Sequence, residues 1–132
     1  MTVYACDLSR IDPPDAGGGE PALQAFRQVC EAAAVAHAGI EMYYDDAEAP
    51  LLYDFITDGA DPFAVPRTPS GAPWVTWHDP AGAAGYLAGF RQASDEESID
   101  PTYLRPEELD TLVEVLAAAQ AHGAGVFVFV ED

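Results

Sequence analysis

Hydrophobic positions are distributed along the chain with two different periods, and the change from one to the other marks the elements. VFVFV, residues 126 to 130, is an unbroken run of β-branched and aromatic side chains, the pattern of an interior strand covered on both faces. The preceding segment, PEELDTLVEVLAAAQAHG, residues 106 to 123, repeats instead with helical spacing, placing Leu109, Leu112, Val113 and Leu116 on one stripe. Pro106 suits its first turn, Glu107 and Glu108 complement the positive helix pole, and Gly123 supplies the stop.

Earlier in the chain, TVYACDL, residues 2 to 8, has the β-branched and aromatic content of a strand. A helix is then predicted from Pro21 to His37, with Leu23, Phe26, Cys30, Ala33, Ala34 and His37 on its core face and Gly39 as the cap. IEMYYD, residues 40 to 45, reads as a second strand. PLLYDFIT, residues 50 to 57, reads as a short helix closed by Gly59, with Leu51, Leu52, Phe55 and Ile56 turned inward. WVTWHD, residues 74 to 79, is a third strand, and GAAGYLAGF, residues 82 to 90, a glycine-weakened helix.

Segments rich in proline, glycine or charge near residues 12–20, 61–73 and 93–104 are expected to be flexible loops. This order of elements predicts a single domain over residues 1–132, of α+β or α/β class. Its small mixed sheet of about four strands carries packed helices, with the terminal strands at its centre. A chain of 132 residues with 49% hydrophobic content can bury such a core without disulfide or metal support.

LLYDFITDGADPF, residues 51 to 63, a Trp-containing segment after it, and LVEVLAAAQAHGAGVFVFV, residues 112 to 130, together resemble the YfbM-like family of small bacterial proteins. Those proteins share an opening strand, an aromatic-aspartate-aromatic segment before a glycine-containing turn, and a closing helix and apolar strand. The resemblance implies an α+β domain without an assigned activity and transfers no functional residues.

Charge changes the picture more than composition does. Twenty-three Asp and Glu stand against five Arg and no Lys, for a formal net charge of −18. Nucleic-acid binding draws its affinity from cationic side chains that displace counterions, and docking on an anionic membrane needs the same charges. Neither partner is expected. A basic protein would be attracted and steered. The alternative is an acidity that serves only solubility, as the composition of a GC-rich genome or a high-salt cytoplasm would produce.

The negative charge is densest between Glu41 and Asp61. There Glu41, Asp45, Asp46, Glu48, Asp54, Asp58 and Asp61 alternate with Tyr43, Tyr44, Tyr53 and Phe55, and no basic residue intervenes. Tyr rings among carboxylates suit an Arg-rich surface, because guanidinium both stacks on rings and forks onto carboxylates. On a helix over residues 50–57, Asp54 and Asp58 fall one turn apart, yet no calcium-loop spacing follows, so no metal or other cofactor is expected. His37, His78 and His122 form no cluster, and His37 and His122 fall at predicted helix ends, where imidazolium complements the negative pole.

His78 with the adjacent Asp79, at a strand end, is the one acid–base candidate, and Trp74, Trp77 and Tyr86 are the aromatic residues that would line a ligand pocket there. No G-x-S-x-G nucleophile elbow and no phosphate-binding glycine motif accompanies them. Cys6 and Cys30 read as two buried thiols or a single bridge. MTVYACDLSRID has neither a basic nor a long apolar region of a signal peptide, so the expected setting is the cytoplasm.

Three readings remain open. The first is a non-enzymatic interaction protein whose residues Glu41 to Asp61 engage a basic protein, in its most concrete form an immunity protein or inhibitor of a nuclease or toxin. The second is a small enzyme or ligand-binding protein built on His78 and Asp79. The third is an acidic housekeeping domain.

Overall fold

Every residue of the VFVFV run is buried, and the whole architecture is arranged to bury it. A computed structural model of the chain describes residues 1–11, 19–41, 50–57, 59, 74–95 and 104–130. In chain order the elements are β1 (Thr2–Cys6), α1 (Gly19–Ala33), β2 (Ala36–Gly39), α2 (Pro50–Thr57), β3 (Trp74–His78), α3 (Pro80–Asp95), α4 (Pro106–Ala121) and β4 (Gly125–Val130). A single 3-10 turn, Leu8–Arg10, follows β1, with the Asp7 side chain accepting from the Ser9 amide at 3.0 Å.

The strands form one sheet in the order β2-β1-β4-β3. The fold is α+β, and its terminal strands β1 and β4 lie at the centre. The sheet is antiparallel throughout rather than mixed. The reason is visible beside β1, where the Cys6 thiol reaches the Cys30 carbonyl at 3.6 Å and the Val35 amide donates to the Ala5 carbonyl at 2.9 Å. Helix α1 therefore ends next to the end of β1, and the chain can only run back along it. A parallel pair would need the helix to return to the start of β1.

The register sorts side chains to two faces. Val3, Ala5, Val126, Val128 and Val130 point to one side, where they meet Leu52, Phe55 and Ile56 of α2, Leu87 and Phe90 of α3, and Leu109, Leu112 and Leu116 of α4. Tyr4, Cys6, Val75, Trp77, Phe127 and Phe129 point to the other, around Phe26 and Cys30 of α1. Aromatic edges order this second face: Phe26 meets Phe127 at 5.1 Å and 89°, and Tyr4 meets Phe129 at 5.5 Å and 90°, geometries that add to simple area burial.

Three elements differ from the sequence expectation. Helix α1 starts at Gly19 and stops at Ala33, so His37 lies on β2 and not at a helix end. The second strand is Ala36–Gly39 rather than residues 40–45. Alanine and glycine have little strand propensity of their own, and here pairing with β1 dictates the conformation: Ile40 and Met1 exchange backbone bonds of 2.8 and 3.1 Å at the strand's end. Helix α3 is longer than residues 82–90 at both ends. Of the expected loops, 12–18, 61–73 and 96–103 lie outside the described residues, whereas Gly19 and Glu20 belong to α1, Ala93 to Asp95 to α3, and Leu104 is buried in the core.

Helix α4 ends as its sequence predicts. His122 caps it, and Gly123 follows at φ 64°, the left-handed conformation that glycine tolerates best. Glycine is required more strictly at Gly125. A Cβ there would stand 2.5 Å from Trp77 Cη2 and closer still to the His78 carbonyl oxygen. Gly125→Ala should accordingly destabilise by about 1–3 kcal/mol through overpacking. Gly39→Ala, whose Cβ would meet nothing within 4 Å, should change stability by no more than about 0.5 kcal/mol. Urea unfolding of the two variants side by side checks the contrast.

Candidate functional site

The end of β3 gathers most of the chemistry that the described residues hold. Thr76 and His78 occupy alternate positions and so share one face of the strand. Both reach α2. The Thr76 hydroxyl donates to the Ile56 carbonyl at 3.1 Å, and His78 Nε2 lies 2.6 Å from the Phe55 carbonyl. A carbonyl only accepts, so Nε2 carries a proton and donates. These carbonyls belong to the last turn of α2, where a helix has no partners of its own. The two β3 side chains thus supply hydrogen bonds to acceptors at the helix end.

His78 is 5% exposed. Its ring stacks on Phe55 at 4.8 Å and 6°, and Tyr86 of α3 approaches it edge-on at 4.8 Å and 60°. Phe55 also meets Tyr86 at 5.1 Å and Phe90 at 5.3 Å, so imidazole, phenol and two phenyl rings form one nest between α2, α3 and the sheet. Tyr86 thereby stands beside His78. Trp77 does not. Adjacent strand residues face opposite ways, and Trp77 lies with Phe127 at 4.4 Å on the α1 side of the sheet, 6% exposed. For Trp74 the strand placement alone is described.

Asp79 is turned to a different task. Its carboxylate accepts from the Gly82 amide at 2.7 Å and its carbonyl from the Ala83 amide at 2.8 Å. With Pro80 as the first residue of α3, Asp79 is the helix N-cap. It is exposed, whereas His78 is buried. The two neighbours in sequence serve different elements, one holding α2 and the other starting α3.

Of the acidic segment, Glu41 and Asp54 are described, and both are exposed. Asp54 projects from α2 while Leu52, Phe55 and Ile56 turn inward, as the helical spacing predicts. Tyr43, Tyr44, Asp45, Asp46, Glu48, Asp58 and Asp61 lie outside the described residues. Positive charge is engaged elsewhere: Arg27 Nε donates to the Tyr4 hydroxyl at 3.1 Å and its Nη2 to the Thr2 hydroxyl at 3.0 Å, and exposed Arg10 sits 3.9 Å from Asp7.

Cys6 and Cys30 are free thiols, both buried. Hydrogen bonding with the Cys6 thiol, and then burial, hold Cys30 far above the ordinary thiol range, so it stays protonated and unreactive. Among the described residues no three His, Cys, Asp or Glu side chains converge as a metal ion would require, and no helix is long and apolar enough to cross a membrane.

No protein family, curated protein or solved structure matches the chain. The likeness to the YfbM-like family rests on the sequence pattern alone.

Sequence reasoning missed Phe55 and Thr76 as partners of His78, and the cap role of Asp79. The last was written in the chain, since Asp followed by Pro is a common way to open a helix. Thr-x-His on one strand face announces two donors side by side, but nothing local announces which carbonyls they will meet.

This arrangement predicts a stability phenotype. His78→Ala should cost about 2–4 kcal/mol from a lost buried hydrogen bond and a ring-sized void. Asp79→Ala should cost about 1 kcal/mol as a lost cap, and Asp79→Asn, which can still cap, should lie within about 0.5 kcal/mol of the wild type. Denaturant midpoints at constant slope measure all three.

Proposed function

We propose that the protein is a non-enzymatic acidic interaction module that docks on a basic protein surface through the carboxylate- and tyrosine-rich stretch from Glu41 to Asp61. The observation that carries this reading is the charge: −18 over 132 residues, with no lysine. Such a field steers a cationic partner from a distance and disfavours phosphate backbones and anionic membranes. Exposed Asp54, on a helix bonded to two side chains of β3, offers one carboxylate of that stretch.

The enzymatic alternative loses support from the same geometry. His78 is buried with its Nε2 proton committed to a carbonyl, and Asp79 is committed to a helix start. General acid–base chemistry needs a group within reach of substrate. The most concrete form of the interaction reading is an immunity protein or inhibitor, because a nuclease or toxin site that holds phosphates presents the cations that a carboxylate array can occupy. Its setting would be the cytoplasm, without a bound cofactor.

The test compares wild type with a variant in which Asp45, Asp46, Asp54 and Asp58 are changed together to Lys. Affinity capture from the source organism's lysate should retain a basic protein on the wild type and lose it on the variant, with both chains equally folded by circular dichroism. Retention should weaken as ionic strength rises from about 0.05 to 0.5 M, where screening shortens the reach of exposed charge to a few ångströms. Identical capture by both variants would reduce the acidity to solvation.

A further inference from the structure

The two margins of the sheet are treated differently. At β3 the chain leaving α2 presses against the strand, so that a Cβ on Gly59 would overlap the Thr76 methyl and stand 2.7 Å from the Trp77 carbonyl oxygen. At β2, among the described residues, the sheet ends with β1 on one side only. The reciprocal bonds of Ile40 with Met1 set the phase of this ladder. Hydrogen-bonded pairs recur at every second residue, so Ala38 spends its amide and carbonyl on Val3, and His37 and Gly39 aim theirs outward.

Natural edges are commonly guarded by lysine, proline or an inward-pointing charge. Strand β2, Ala-His-Ala-Gly, has none of these. Its side chains are small, His37 and Gly39 are exposed, and Val35 just before it is 45% exposed. A second backbone can approach closely.

We infer that the open edge of β2 pairs with an extended basic segment of the partner protein, which adds a fifth strand to the sheet. This inference rests on the proposed reading of the protein as an acidic docking module and says where the partner's backbone lies. Charge chooses the occupant. A second copy of this chain would bring another −18 to the contact, and like charges across paired strands repel. The helices packed on either side of β1, of which α4 also reaches β2, favour the opposite sign. Helix α4, over one face, carries Glu107, Glu108, Asp110 and Glu114 and no base, and α1, on the other, carries exposed Glu31 while its one cation, Arg27, is bonded to Tyr4 and Thr2. Side chains of an added strand alternate between these two acidic flanks, whereas its main chain supplies affinity that is independent of sequence.

The probe is a synthetic seven-residue peptide of alternating Arg and Thr, with a Glu–Thr peptide of equal length as the control. Amide hydrogen exchange is followed by NMR in the intact protein. The Arg–Thr peptide should slow exchange of the His37 and Gly39 amides by tenfold or more, and the Glu–Thr peptide should not. His37→Pro removes one outward donor at a position where an edge strand accepts proline and should abolish the protection. His37→Lys keeps the backbone and should weaken binding severalfold by repulsion, so a folding defect in the first variant leaves the second decisive. Binding of the Arg–Thr peptide that protects amides elsewhere would overturn edge pairing while leaving the acidic docking reading intact. Equal protection by both peptides, or concentration-dependent pairing of the chain with itself through β2, would also overturn it.

Discussion

The structure depends on the burial of β4 from both sides. Its six residues, Gly125 to Val130, alternate between two apolar layers, with Val126, Val128 and Val130 against α2, α3 and α4 and Phe127 and Phe129 against α1. Fully burying such a side chain is worth about 1.5–3 kcal/mol, so this one strand supplies a large share of the driving force. It can do so only between two neighbours, because an interior strand spends its backbone groups on both sides. Antiparallel β1 and β3 are those neighbours. The tight approach of Gly125 to Trp77 and His78 then ties the start of β4 to the end of β3.

Fixing β3 in turn fixes α2. A helix of eight residues is too short to be stable by itself, and its last carbonyls face the protein interior. Thr76 and His78 answer those carbonyls directly, while Phe55 closes over the imidazole. The polar residues at the end of β3 are therefore spent on architecture. That matters for function, because the histidine with the greatest catalytic promise in the sequence is buried and bonded to the Phe55 carbonyl.

Most of the architecture was legible in the chain. The β4 run, the α4 stripe from Leu109 to Leu116, the inward face of α2 and the centrality of the terminal strands follow from apolar periodicity, which tertiary packing rewards. Strand β2 was not legible, since AHAG carries no strand signal and adopts its conformation through its partner β1. His37 was misplaced for the same reason. Which of the singled-out residues would meet was not legible. Strand alternation alone separates Trp77 from His78, and an Asp-Pro pair alone assigns Asp79 to a helix cap, whereas the meeting of His78 with the Phe55 carbonyl joins residues 23 apart through the packing of a helix on an edge strand.

An acidic exterior and an unguarded edge are complementary properties. An open strand invites pairing with any extended chain, and in a neutral protein that is an aggregation hazard. Here the charge of every other copy is the same large negative number, so self-pairing is opposed at long range before strands can meet. The same field attracts cationic chains. Strand β2 carries neither lysine nor proline, and in the proposed reading selectivity comes from the sign of the whole molecule. Among the described residues the chain leaving α2 lies against β3 while β2 pairs with β1 alone, so the proposed strand pairing belongs to the β2 side of the sheet and the α2 carboxylate Asp54 to the other.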